Sequence, residues 1–305
     1  MDIQAIISQL AVLFILLMLG YVCGKAKVLP PETGRILTKV VMNVTLPCTA
    51  LTSVVGGDLV ITGGETVFYM LAAALAFLIF FAIAIPSSRI MFRDKPSRGL
   101  SSYMIVFSNC GFMGFPVAYA IFGAESMYYV ALFNIVFTLF VFTAGPVMMS
   151  GKSGKPDLKT IITPAFIASI LVIPIALTGY KTPAVIADTI RLTGNVTTPA
   201  SMLVIGITLS LVPVKAVFSE YRLYPIAVLK LVVIPLVVWL VLRQIVADDF
   251  ALGMLVILSA MPTAAMAVIH AIELGNNERF ASSGIFLTTL LSCATIPLTV
   301  YLILM

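Results

Sequence analysis

Residues 109–123, Asn109 to Gly123, read NCGFMGFPVAYAIFG. An Asn, three Gly and a Pro stand here within a segment otherwise apolar enough to be buried in lipid. Pro removes one backbone donor and crowds the carbonyl a turn earlier, while Gly lets the chain leave helical angles. A membrane-buried helix carrying this run is expected to break near its middle. Unpaired backbone at such depth survives only where it is buried in protein or lines a cavity.

The rest of the chain sets that run in a membrane. Its 305 residues are 61% hydrophobic and 10% charged, with a mean hydropathy of +1.13, a composition outside the range of water-soluble domains. Helical crossing of a bilayer takes about 20 apolar residues, and the chain offers a succession of such runs with none of the short alternation of a β-barrel. The fold class is therefore all-α, an integral membrane protein. The first run, Ile3 to Val22, precedes its nearby basic residues, Lys25 and Lys27, which marks it as a retained helix with its amino end outward. Cys23, Cys48, Cys110 and Cys293 lie at unrelated spacings inside apolar runs and read as packing residues, with neither disulfides nor a metal site implied.

Breaks of charge, Pro and Gly divide the apolar sequence into ten expected transmembrane spans: 4–24, 34–55, 64–86, 98–121, 126–149, 160–179, 185–212, 223–243, 250–273 and 280–304. Lys and Arg accumulate in cytoplasmic loops. The odd-numbered loops hold Lys25, Lys27, Arg35, Lys39, Arg89, Arg93, Lys95, Arg98, Lys152, Lys155, Lys159, Lys215, Arg222 and Arg279, against Lys181, Arg191 and Arg243 in the even-numbered loops. Both termini are therefore expected on the outer side of the membrane. The net charge of +5 is accounted for by this topology, and no nucleic-acid partner is implied.

A shift of 152 residues aligns TLPCTAL (Thr45 to Leu51) with TTPASML (Thr197 to Leu203), and AIFG (Ala120 to Gly123) with IELG (Ile272 to Gly275). Five spans per half is an odd number, so the halves, 1–150 (spans 1–5) and 151–305 (spans 6–10), enter the bilayer from opposite sides as inverted repeats. Inverted repeats with interrupted helices in matching positions are an architecture of secondary transporters. The second interruption is SAMPTAAMA, Ser259 to Ala267, around Pro262. Half-helix amino ends meeting at such breaks favour an anion. The alternative use of these residues is to kink and closely pack the helices.

The run NCGFMGFP resembles the fourth-helix motif of the auxin efflux carrier family, which includes the plant PIN carriers. VMNVTLPCTAL, PASMLVIGITLSL and LTTLLSCATIP resemble further patterns of that family, in order and along nearly the whole chain. The resemblance implies ten helices in two inverted five-helix repeats, similar to bile-acid-symporter and NhaA-type folds, with broken helices 4 and 9 crossing. It implies a transport domain of spans 3–5 and 8–10 moving against a scaffold of spans 1, 2, 6 and 7, in elevator-type alternating access. Bacterial members are associated with malate, malonate and other organic anions. Asn109 and Pro116 match the motif directly, with Gly111 and Gly114 between them, and Asn134 lies near a polar position used by the plant carriers. In the second break MPTAAMA keeps Pro262, followed by Thr263, while a second Pro of the plant pattern is absent. The long cytoplasmic loop of many plant carriers is replaced by about ten residues after Ser150. A homodimer through the scaffold helices is expected.

All thirteen acidic residues fall at or near loops or span ends. A buried carboxylate for Na⁺ or H⁺ coupling is thus not in view, and the coupling ion, H⁺ or Na⁺, stays open; no cofactor is expected. Lys230, deep in span 8, can neutralise a substrate, stand in for a coupling cation, or snorkel to the surface. His270, the one His, can carry a proton or serve structurally. Asn43 in span 2 is a further candidate because a buried amide needs several partners. One lone His and no mid-span carboxylate exclude most intramembrane enzymes. The expected function is secondary transport of a small organic anion, a mono- or dicarboxylate or an auxin-like acid. A Na⁺-coupled symporter of bile-acid type, an anion channel and a receptor are the alternatives.

Overall fold

The computed structural model describes residues 3–57, 59, 61–150 and 161–303. Lys152, Lys155 and Lys159, expected in a cytoplasmic loop, lie outside the described residues. Every regular element among them is helical, and extended pairing is confined to one antiparallel bridge between Ser108 and Thr263. Among the described residues, six stretches are long and apolar enough to cross a membrane: Ile6–Lys25, Gly63–Met91, Ser126–Ser150, Ala184–Ser210, Leu223–Leu242 and Glu278–Leu302.

The helices are α1 (Ile3–Lys25), α2 (Pro31–Val40), α3 (Leu46–Thr52), α4 (Gly63–Met91), α5 (Lys95–Val106), α6 (Phe115–Phe122), α7 (Ser126–Ser150) and α8 (Pro164–Thr178). They continue as α9 (Ala184–Asn195), α10 (Thr197–Ser210), α11 (Val214–Ser219), α12 (Leu223–Val228), α13 (Ile234–Leu242), α14 (Asp249–Ser259), α15 (Met266–Glu273) and α16 (Glu278–Ile303). Widened π-type turns at Val41–Thr45, Cys110–Gly114 and Leu229–Val233 lead into α3, α6 and α13. Each turn lies just before a proline, Pro47, Pro116 or Pro235. A proline ring clashes with the carbonyl four residues back, here Asn43, Phe112 and Leu231, and a turn loosened at that carbonyl relieves the clash without ending the helix.

One compact unit comprises Met1–Leu71, Cys110–Ile135 and Ile162–Leu211. Its closest seam joins α1 to α10. A Cβ on Gly20 would lie 2.6 Å from the Leu203 carbonyl oxygen, and one on Gly206 would run into the Leu17 carbonyl. Lipid tails are as apolar as the helices, so association depends on close van der Waals packing that small residues permit. In the same unit α3 packs on α8 and α9. There the buried Thr49 hydroxyl lies 2.6 Å from Thr197 Oγ1 and 2.9 Å from the Gly194 carbonyl.

The second compact unit comprises Ala72–Asn109, Val136–Ile161 and Val212–Met305. Its core is aromatic: Phe77 stacks on Phe140 at 5.1 Å, and Phe107 lies 4.6 Å from Tyr103 between ring centroids. Around α5 are packed α12, the turn at Leu229–Val233, α15 and α16. Gly284 of α16 faces the end of the Met104 side chain of α5.

Candidate functional site at the helix breaks

The first interruption falls earlier than the Gly and Pro residues suggest. Helix α5 ends at Val106, and Phe107 turns to extended angles, φ −89° and ψ 113°. The non-helical residues are Phe107, Ser108 and Asn109, while Gly111 and Gly114 sit in the widened turn and Pro116 occupies the first turn of α6. Gly114 has ordinary right-handed angles, φ −59° and ψ −48°. Pro is favoured in a first helical turn, where its missing N–H has no intrahelical acceptor to lose. The expectation of a break at the Gly–Pro run is corrected accordingly: that run restarts the helix.

The second interruption, between α14 and α15, lies alongside the first. The Asn109 amide donates to the Pro262 carbonyl at 2.7 Å, and the Ala264 amide donates to the Phe107 carbonyl at 2.9 Å. Two short extended segments thus satisfy each other's backbone, which is what permits broken helix in an apolar surround. Thr263 extends the pairing. Its hydroxyl donates to the Met104 carbonyl at 3.0 Å, and its amide donates to Thr288 Oγ1 of α16 at 3.2 Å. Thr263 is fully buried at 0% exposure, so both bonds replace interactions with water.

Lys230 reaches the same place. Its side chain is 0% exposed; the ammonium donates to Ser108 Oγ at 2.6 Å and to the Val106 carbonyl at 3.4 Å, and lies 5.4 Å from the centroid of the Phe80 ring. The amine is therefore directed inward, onto the carboxyl end of α5, and the snorkelling alternative is set aside. The last carbonyls of a helix carry partial negative charge, and a cation placed there is stabilised. Hydroxyl, carbonyl and aromatic face together offset the desolvation of the ammonium.

The structure thus brings together Asn109, Pro262, Thr263 and Lys230. Asn134 lies in the other unit, where its Oδ1 accepts from Cys110 Sγ at 3.4 Å and its Nδ2 donates to the Val130 carbonyl at 2.9 Å. Asn43 is exposed and donates to the Lys39 carbonyl at 2.8 Å, which satisfies it on its own helix. His270 is buried on α15, edge-on to Tyr103 at 5.5 Å and to Phe142 at 6.0 Å between centroids. Its Nδ1 and the Tyr103 hydroxyl have no hydrogen-bond partner among the described residues. Ser108, Met104 and Phe80 are site neighbours that sequence reasoning passed over. Ser108 carried a signal, since it forms with Asn109 a polar pair in an apolar run.

No group of three or more His, Cys, Asp or Glu side chains able to hold a metal occurs among the described residues. The arrangement instead offers paired backbone, a buried hydroxyl and an ammonium, each engaged by protein groups at the two breaks.

Comparison with known proteins finds relatives along nearly the whole chain. The chain is 28% identical over 295 residues, 93% of its length and 94% of the relative's, to an uncharacterized transporter of Methanothermobacter thermautotrophicus. It is 24% identical over 309 residues, 95% of its length and 93% of the relative's, to a Rhizobium meliloti protein named "Putative malonate transporter". The uncharacterized transporter YfdV of Escherichia coli K12 is 24% identical over 306 residues, 97% of this chain and 96% of that one. A family model described as membrane transport protein matches residues 5–159 and 154–302. With the apolar helices and the paired breaks, these matches make the chain a multi-pass membrane transporter that belongs to the membrane transport protein family, the auxin efflux carrier family.

Proposed function

We propose that the protein is a secondary active transporter of a small organic anion, a mono- or dicarboxylate of the malate or malonate kind, working by elevator-type alternating access. The observation that carries the reading is the backbone pairing of two interrupted helices from opposite halves of the chain, Asn109 with Pro262 and Phe107 with Ala264. Discontinuous helices meeting at a repeat interface form substrate and ion sites in secondary transporters. The Rhizobium meliloti relative's name supports malonate as the first substrate to try.

The proposed organisation is ten spans in two inverted repeats, 1–150 and 151–305. Two observations support it. Gly123 and Gly275, aligned by the 152-residue shift, both take positive φ, 79° and 65°, just beyond α6 and α15. Thr49 and Thr197, from the two aligned Pro motifs, lie in contact. Spans 1, 2, 6 and 7 are assigned to a scaffold that also forms a homodimer, and spans 3–5 and 8–10 to the moving domain. Both termini lie outside the bacterial inner membrane. Asn109 and Thr263 are assigned to substrate contact, with Pro262 shaping the backbone that receives it.

Proteoliposomes holding the purified protein test the reading with radiolabelled malonate, malate and a monocarboxylate panel, with and without H⁺ and Na⁺ gradients. Saturable, protein-dependent flux of at least one anion is expected. Absence of flux in either direction for the whole panel would sink it, and unsaturable ion conduction would assign a channel instead.

A further inference from the structure

We infer that the Lys230 ammonium is a tethered replacement for a monovalent coupling cation at the helix crossing, so that the protein has no Na⁺ requirement there. The inference rests on the crossing being the transport site. Helix α5 ends at Val106, and its carboxyl-terminal carbonyls bear partial negative charge. Half-helix carboxyl ends and unwound carbonyls are where secondary transporters coordinate Na⁺. In this chain the Val106 carbonyl and the Ser108 hydroxyl, two hard oxygen donors of the kind Na⁺ takes, are both engaged by Lys230 Nζ.

Three further features fit a resident cation. The amine is wholly buried over the Phe80 ring, where a neutral side chain of equal length would fill the space without desolvating a charge. It rises from a widened turn, Leu229–Val233, a helix irregularity frequent at functional positions. Every acidic residue of the chain lies at or near loops or span ends, so a cation at the crossing is balanced by helix ends and dipoles. A Na⁺ ion on the same two oxygens would sit within a few ångströms of the ammonium and be repelled.

The inference predicts that emptying the position creates a cation site. The test uses the full chain in detergent and reads its thermal unfolding at constant ionic strength in choline chloride, NaCl and n-propylammonium chloride, the last matching the atoms lost in Lys230→Ala. The wild-type melting temperature is expected to be the same in all three salts. Lys230→Ala is expected to melt about 5 °C lower in choline, with at least half of the loss restored, saturably, by Na⁺ or n-propylammonium. Specific stabilisation of the wild-type protein by Na⁺, or a Lys230→Ala protein indifferent to both cations, would overturn the inference. If Lys230→Ala cannot be purified, Lys230→Met decides, since it fills the volume without charge: a melting temperature several degrees below wild type and unmoved by Na⁺ supports the inference, and one equal to wild type overturns it. All readouts are melting temperatures, so failure to find a carried anion is a separate result that bears on the transport reading alone.

Discussion

Lys230 donates to the hydroxyl of Ser108 across 2.6 Å, joining the turn Leu229–Val233 to the extended segment between α5 and α6. The residue before Asn109 is thus fixed from its side chain, while the backbone of Asn109 is fixed by Pro262.

Because Asn109 is held at the crossing through its backbone amide, Asn109→Ala is expected to retain the fold. Its stability in thermal unfolding should fall by no more than a typical single-substitution cost, about 1 kcal/mol. Anion flux in proteoliposomes should fall at least about tenfold, the equivalent of one charge-assisted hydrogen bond. Wild-type flux would remove the Asn109 amide from the site.

Thr263→Val keeps shape but leaves the Met104 carbonyl without the Thr263 hydroxyl. An unmet buried acceptor costs about 1–3 kcal/mol, so the variant should unfold at lower temperature, while Thr263→Ser should recover most of the loss. Equal melting of all three proteins would show that the bond contributes nothing.

The Tyr103 hydroxyl is fully buried and has no hydrogen-bond partner among the described residues. Tyr103→Phe removes a desolvated polar group without making a cavity, and thermal unfolding should show equal or higher stability. A marked loss would reveal a partner for the hydroxyl.

Gly206→Val places branched carbon where the Leu17 carbonyl and the Tyr21 amide already lie. Backbone cannot yield as a side-chain tip can, so α1 should be forced off α10. The expected outcome is loss of monodisperse protein in size-exclusion chromatography, with Gly206→Ala impaired to a lesser degree.

Asp94 caps α5, accepting from the Ser97 amide at 2.9 Å. Hydrogen bonds from Ser97, side chain first and then backbone, hold its carboxyl below the ordinary aspartate range. A folded-state pKa below the unfolded one contributes stability above the unfolded pKa, and that contribution fades as pH falls through the folded value. Asp94→Ala should therefore cost about 1 kcal/mol at neutral pH, with the difference from wild type closing toward pH 3 in urea unfolding.

Much of the helical layout was legible in composition and spacing. Each expected apolar run falls on a helix or a helix pair, since a segment of that hydropathy in lipid has no other way to pair its backbone. The motif around Asn109 and Pro116, together with Pro262, was enough to point to two interruptions. Their placement was less legible. Gly111, Gly114 and Pro116 read as the break, yet the chain leaves helix at Phe107 to Asn109, because those residues find backbone partners at Pro262 and Ala264 that only the fold brings near.

By itself the sequence determined an all-helical membrane chain, the two interrupted runs and the family motifs, because hydropathy, Pro and Gly act over a few neighbouring residues. Tertiary structure alone decided that Lys230 turns inward onto Ser108 and Val106 and that Thr263 caps Met104. Those outcomes depend on partners as far as 159 residues away along the chain, where the pairing of buried donors with acceptors is set by packing and leaves no local pattern to read.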